Sequence, residues 1–301
     1  MATLMQAGHA EARCMRPGSA LARLEPRSLI AEVDSGQAGR EAMAAVLAGN
    51  TVRVTEVLRV DPRLISAGTA DLDLLAVAAV QCDIAMVDLL LNLGARPDGT
   101  KRMMPLIYGI NAVDPAVAQR LLRSGASVKV DRARDQDPLD EAIMLRAPGA
   151  VRLLLDHGAD PNQADELGQT PLSSAIDVNA MDIAELLIER GANIWQISAS
   201  GATIGYNLAR PPVNAEPAQD AIRARLVARL RVAGFPWPPP DWREGRKLLI
   251  AGNWPPPRAR NAPHIHESII AVARENEARA ARRGKDTGAV RSIDRHRAEN
   301  R

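Results

Sequence analysis

The sequence predicts an all-α array of stacked helix-turn-helix units followed by a basic, proline-rich C-terminal extension. Three observations carry that expectation. Apolar residues make up 46% of the 301-residue chain while aromatics supply only 2%, so the core must be built from Leu, Val, Ile, Met and Ala, which suits closely packed helices. Gly-Ala pairs recur at 94–95, 125–126, 158–159 and 191–192, in steps of 31, 33 and 33 residues. Pro105-Leu106, Pro138-Leu139 and Pro171-Leu172 recur every 33 residues, each proline standing 20 before its glycine, and Leu74-Leu75 stands 20 before Gly94. Two markers in constant phase through four copies define a unit too small to bury its own apolar face, so neighbours must stack.

Taken in chain order, residues 1–40 are rich in Ala, Gly, Arg and Glu without sustained periodicity, and read as a poorly ordered leader with one short helix near Leu29 to Val33. Residues 41–236 hold about six units including caps, opening with a half-matching copy at 44–58. In each full unit Pro or Leu starts a first helix, where a missing N–H costs nothing because that donor is unpaired anyway. Four residues later comes Ala78, Gly109, Ala142 or Ala175, small enough for two helices to approach closely. Asp83, Asp114-Pro115, Pro148 and Asn179 then open a second helix as caps or first-turn prolines. Its apolar stripe, such as Met86, Val87, Leu90 and Leu91 or Ile183, Leu187 and Ile188, has helical spacing. Each second helix stops at the repeated glycine, which adopts the left-handed C′ conformation without a Cβ penalty. A last unit uses Thr203-Ile204-Gly205 as its first turn and residues 221–234 as its second helix, with Arg223, Arg225, Arg229 and Arg231 as a solvated capping face.

Residues 237–301 form a Pro/Trp/Arg-rich tail with one helix near 267–283, whose narrow apolar face is Ile269, Ile270, Val272 and Ala273. Phe235, Trp237 and Trp242 come straight after the last unit and are expected to fold back over its open end, because an exposed aromatic cluster is a liability. Charge divides the chain at the same place: residues 1–209 hold 19 basic and 26 acidic side chains, and residues 210–301 hold 19 and 10. No apolar run is longer than Leu74 to Val80, which falls far short of the roughly 18 residues a membrane helix needs. His9, Glu11, Arg13 and Arg16 stand where a signal peptide would place its apolar segment. Cys14 and Cys82 lie far apart with no metal spacing around either, so they are expected to be unpaired in a reducing compartment, which gives a cytoplasmic location. Arg outnumbers Lys by 34 to 4 amid abundant Ala, as a GC-rich bacterial coding bias would produce.

Phosphate-loop, dinucleotide, zinc-protease, Cys-x-x-Cys and nucleophile-elbow patterns are all missing from the sequence, so no enzyme and no cofactor are expected. His264-Ile265-His266-Glu267 resembles a metal pair but lacks a rigid third ligand, and it reads as an accident of composition. The acidic pairs Asp135/Asp137 and Asp165/Glu166 read as solvated turn tips, where nothing would separate their pKa values.

The unit resembles the ankyrin repeat. Its fullest copy runs from Gly168 to Asn193 and contains Thr170-Pro171-Leu172, matching the start of the Thr-Pro-Leu-His-x-Ala signature. The signature is degraded to Met104-Pro105-Leu106 and Asp137-Pro138-Leu139, and its His is replaced by Ala76, Ile107, Asp140 and Ser173. The resemblance implies a non-enzymatic protein-interaction module of the adaptor, inhibitor or immunity type, monomeric, binding another protein on the concave side formed by turn tips and first helices. Carried onto this sequence, that side offers Lys101, Arg102, Arg132, Arg134, Asp135, Asp165, Glu166 and Gln169 at the tips, and Tyr108, Asn111, Glu141, Met144 and Asp177 on the first helices. The tips run from basic to acidic along the chain, which would orient a partner, and Tyr108 is the candidate anchor, unless it fills space between helices at a position where the family buries Leu. A second reading has the basic end at Arg282, Arg283, Lys285, Arg291, Arg295 and Arg297 meeting nucleic acid or another polyanion.

The phase of the glycines makes one quantitative demand. Gly158→Val should cost about 1 to 2 kcal/mol through left-handed strain, read as a lowered denaturation midpoint with unchanged helical signal.

Overall fold

The computed structural model describes residues 14–15, 26–129, 131, 136–211, 216–257, 259 and 265–282. Its contacts divide the chain into two units, residues 1–160 and 161–301. Secondary structure among the described residues is helical apart from isolated β-bridges.

In the first unit, α1 (Pro26–Ala31) precedes four helix pairs: α2 (Gly36–Leu47) with α3 (Thr51–Val60), α4 (Leu74–Val80) with α5 (Ile84–Asn92), α6 (Pro105–Asn111) with α7 (Ala116–Arg123), and α8 (Pro138–Met144) with α9 (Pro148–Asp156). First helices pack in the series α2, α4, α6, α8, and second helices in the series α3, α5, α7. All seven residues of α4 are buried, because an inner first helix has a helix on either side and its own partner behind it. Leu74, Leu75, Leu90, Leu106, Leu121, Ile143 and Leu154 are completely enclosed, each contributing about 1.5 to 3 kcal/mol of transfer free energy. α1 buries Leu29, and α2 begins ahead of residue 41.

The second helices end as their glycines require. Gly158 has φ +88°, the Gly158 N–H donates to Leu155 O (3.1 Å) and the Ala159 N–H donates to Leu154 O (3.0 Å). These two bonds form a Schellman motif that satisfies the last carbonyls of α9. The same pair of bonds closes α5 at Gly94-Ala95 and α7 at Gly125-Ala126. Gly109 serves a different purpose. A Cβ there would lie 2.8 Å from the Ala118 nitrogen and 2.9 Å from its Cα, so α6 and α7 touch backbone to backbone.

The expectation that the cysteines are unpaired is overturned. Cys14 and Cys82 form a disulfide, because Cys14 and Met15 lie along the link between α6 and α7. Met15 bridges Ala112 in antiparallel fashion, the Val113 N–H donates to Cys14 O (2.7 Å), and Met15 is buried. Separation along the chain, 68 residues, says nothing about distance once Cys14–Met15 pairs with Ala112–Val113. Paired cysteines do not point to a reducing compartment.

In the second unit, α10 (Pro171–Asp177) pairs with α11 (Met181–Glu189), and α12 (Ile204–Leu208) with α13 (Pro217–Val232). α14 (Trp242–Ile250) and α15 (267–282) follow. Thr170 and Ser173 form a reciprocal capping box at the start of α10, so Ser173 replaces the signature's His with a local hydrogen bond. Asn179 does not cap α11. It sits at φ +56° as the left-handed residue that ends α10, and Ala180 takes the cap position.

An aromatic cluster closes this unit, with a different membership from the expected one. Phe235 stacks on Trp195 at 5.2 Å and meets Trp254 edge-on at 5.4 Å, while the Trp254 Nε1–H donates to Trp195 O (2.8 Å). Trp237 is 37% exposed, and half-buried Trp242 lies under the Arg243 and Arg246 guanidiniums instead. Arg246 is buried and donates to Glu277 (2.7 Å), which joins α14 to α15. Ile269 and Ala273 bury the face expected of α15, and Ile270 and Val272 are half-buried. Arg223 is also a correction: it is buried, not solvated, and reaches Asn179 Oδ1 (2.5 Å) and Leu208 O (3.4 Å). Desolvation holds its pKa below the usual value. Arg225 ion-pairs with Glu185 (2.9 Å), while Arg229 and Arg231 are exposed as expected.

Gly109→Ala should destabilise the protein by about 1 to 3 kcal/mol through overpacking, although alanine is the better helix former. Chemical denaturation of the full chain measures it.

Candidate interaction surface

The turn tips of the first unit are tied to one another by side chains. Asp73 accepts from the Ala76 N–H (2.9 Å) as the cap of α4, and from the Thr100 N–H (2.6 Å) and Thr100 hydroxyl (3.0 Å) in the next turn. Asp98 accepts from the Ser127 N–H (2.7 Å), one unit further on. Lys101 ion-pairs with Asp34 (2.6 Å) and Arg102 with Asp71 (2.8 Å). The Lys101 bridge holds the Asp34 carboxyl below its ordinary pKa. The two basic tips are therefore neutralised locally, which weakens the expected charge gradient at its basic end. Arg132, Arg134 and Asp135 lie outside the described residues, as do His264 and all but Arg282 of the basic end.

Asp137 is not a solvated tip. It caps α8 by accepting from the Leu139 and Asp140 N–H groups (2.9 and 3.2 Å), and burial pushes its carboxyl pKa up.

The first-helix candidates separate into buried and open positions. Tyr108 is 3% exposed and its hydroxyl pKa is driven up by burial, so it fills space between helices and offers nothing to a partner. Asn111 is buried too, donating to Ile107 O (3.0 Å) and to Glu141 Oε1 (2.7 Å). Asn111 is six residues after its helix-opening proline and Glu141 three after the next, so one side-chain bond spans two neighbouring repeats. Met144 is open, 58% exposed.

In the second unit, Asp165 builds its own turn, accepting from the Leu167 and Gln169 N–H groups, both at 2.8 Å. Glu166 is exposed and Gln169 half-buried, and Leu167 between them is 54% exposed. Asp177 accepts from Asn207 (2.9 Å), repeating the six-to-three spacing of the Asn111–Glu141 bond, and burial raises its pKa against that hydrogen bond. Leu167, Asn207 and the Tyr206–Arg210 cation–π pair (4.3 Å) were not singled out from the sequence. Asn207 was discoverable by laying the units over one another, whereas Leu167 has no periodic signal.

A cleft of about 750 Å³ opens at the ends of α11 and α13, lined by Ile188, Trp195, Val232 and Arg229 among others. It brings together no acid, base or nucleophile that could carry out a reaction. No group of three metal-binding side chains occurs among the described residues. None of their helices is long and apolar enough to cross a membrane.

Residues 106–198 match the family model for ankyrin repeats, in three copies. No curated protein matches the sequence. Among solved structures, the chain is similar to the crystal structure of the ankyrin repeat domain of Bcl-3, a member of the IκB protein family, with 20% identity, a TM-score of 0.56, and coverage of 78% of this chain and 97% of that one. At that identity the likeness shows the fold alone: an all-α ankyrin-repeat solenoid of stacked helices.

In an ankyrin stack the bond between neighbouring repeats should appear as coupling. A double-mutant cycle with Asn111→Ala and Glu141→Ala should give an interaction energy of about 1 kcal/mol, measured by equilibrium denaturation, as for a hydrogen bond to a charged group that is partly exposed.

Proposed function

We propose that the chain is a monomeric protein-interaction scaffold that engages another protein through the turn tips and first helices of its ankyrin repeats. Met144 and Leu167 carry this reading, as large apolar side chains more than half exposed, one at the end of a first helix and one at a turn tip. Stacking asks nothing of either side chain, whereas the fully enclosed residues belong to the helix interfaces. Apolar anchors with polar neighbours, such as Glu166 beside Leu167, match the make-up of a transient interface. The partner surface is assigned separately within each unit: Met144 with Lys101 and Arg102 in the first, and Glu166, Leu167 and Gln169 in the second. Tyr108 and Asn111 are not part of it.

Affinity capture with tagged full-length protein tests the proposal. Met144→Glu or Leu167→Glu should weaken retention of the captured partner at least about tenfold, equivalent to about 1.4 kcal/mol. Val232→Glu, at a position 90% exposed on the second helix α13, should leave it unchanged. The reverse pattern would place the binding surface on the second helices.

A further inference from the structure

Within the first unit, three links between a first and a second helix close through a left-handed residue: Gly49 (φ +64°), Cys82 (φ +53°) and Arg146 (φ +49°). The link between α6 and α7 does not. Ala112 there is extended, at φ −68° and ψ 150°, and an extended link presents an unpaired backbone edge. Cys14 and Met15 cover that edge. The Val113 N–H donates to Cys14 O (2.7 Å), Met15 bridges Ala112, and Met15 and Ala112 are both buried. The covering segment is anchored by the chain's two cysteines, joined as Cys14–Cys82.

We propose that this disulfide is a redox-operated clasp, which holds Cys14–Met15 on the Ala112–Val113 edge when oxidised and uncovers the edge when reduced. Among the described residues the segment is held by one backbone hydrogen bond, one bridge and one buried methionine, too little to fix it unaided, since even a whole isolated hairpin is marginal in water. The cross-link raises the effective concentration of the segment at the edge, and without it the segment competes with water for the Val113 N–H. Both cysteines are half-buried, so a small thiol reaches the bond. With a dithiol reductant the exchange balances: the Cys14–Cys82 bond breaks, each sulfur takes one electron and one proton, and the dithiol leaves as its own cyclic disulfide. The repeats remain stacked, because none of the helix interfaces involves the bond. Release exposes an extended edge flanked by Val113, whose side chain is already 57% exposed, the kind of edge an extended peptide pairs with.

Hydrogen exchange on the full chain, with and without dithiothreitol, reads the clasp directly. In the oxidised protein, peptide mapping without reductant should recover Cys14 and Cys82 in one cross-linked fragment, and the Val113 amide should be protected. Reduction, or Cys14→Ser, should speed exchange at Val113 at least tenfold while Ala95, in the α5 end turn, stays unchanged. Cys82→Gly provides the folded control, since glycine suits φ +53°; it should keep the helical signal and lose Val113 protection. Two free thiols in air-equilibrated protein would overturn the proposal, and so would Val113 protection that survives reduction. Loss of helical signal on reduction would overturn it equally, because the bond would then be a structural brace.

Discussion

Everything in each unit rests on burial of the first helices against their neighbours. A seven-residue helix such as α4 is far below the length at which a helix is stable in water, and it persists because all of its residues are enclosed. That constraint explains the residue types around it. Proline or leucine starts the helix without wasting a donor, a small residue at the fifth position admits the partner helix, and glycine with φ near +90° turns the chain back within two residues. Gly109 marks the limit of the trend, where even a methyl group would meet the α7 backbone.

Close stacking also sets the role of the polar groups. A buried polar atom costs free energy unless it finds a partner, and here the partner often belongs to the next repeat: Thr100 for Asp73, Ser127 for Asp98, Glu141 for Asn111, and Asn207 for Asp177. Side chains that look like a recognition surface in one dimension are thereby consumed in holding turns and helices in register. What is left for recognition is a smaller set, led by Met144 and Leu167.

Each unit ends differently. The first begins with α1, and the Cys14–Met15 segment lies along its α6–α7 link, covalently attached at Cys82. The second is closed by Trp195, Phe235 and Trp254, and by α14 and α15 joined through Arg246 and Glu277. Gly245 lets α14 approach until a Cβ would sit 2.1 Å from Gly201 O, so the helix after the repeats is as closely fitted as the repeats themselves. With so few aromatics in the chain, placing three of them in one cluster concentrates most of the ring-to-ring contact available to it.

The repeat phase, the helix pairs, the glycine turns and the capping role of Asp83 are all legible in the sequence, because each follows from local stereochemistry recurring at a fixed spacing. The aromatic closure was legible in kind but not in membership: Phe235 was expected, while Trp254 displaces Trp237 and Trp242, since proximity in sequence does not determine which ring meets Trp195. The burial of Tyr108 and Arg223, and the engagement of Lys101, Arg102 and Asp165, depend on contacts some two to seventy residues apart, which leave no periodic trace. The disulfide is the extreme case. Nothing local to Cys14 or Cys82 signals their pairing, which goes with the seating of Cys14–Met15 on an extended link between α6 and α7, where the described links of the neighbouring repeats close through left-handed residues.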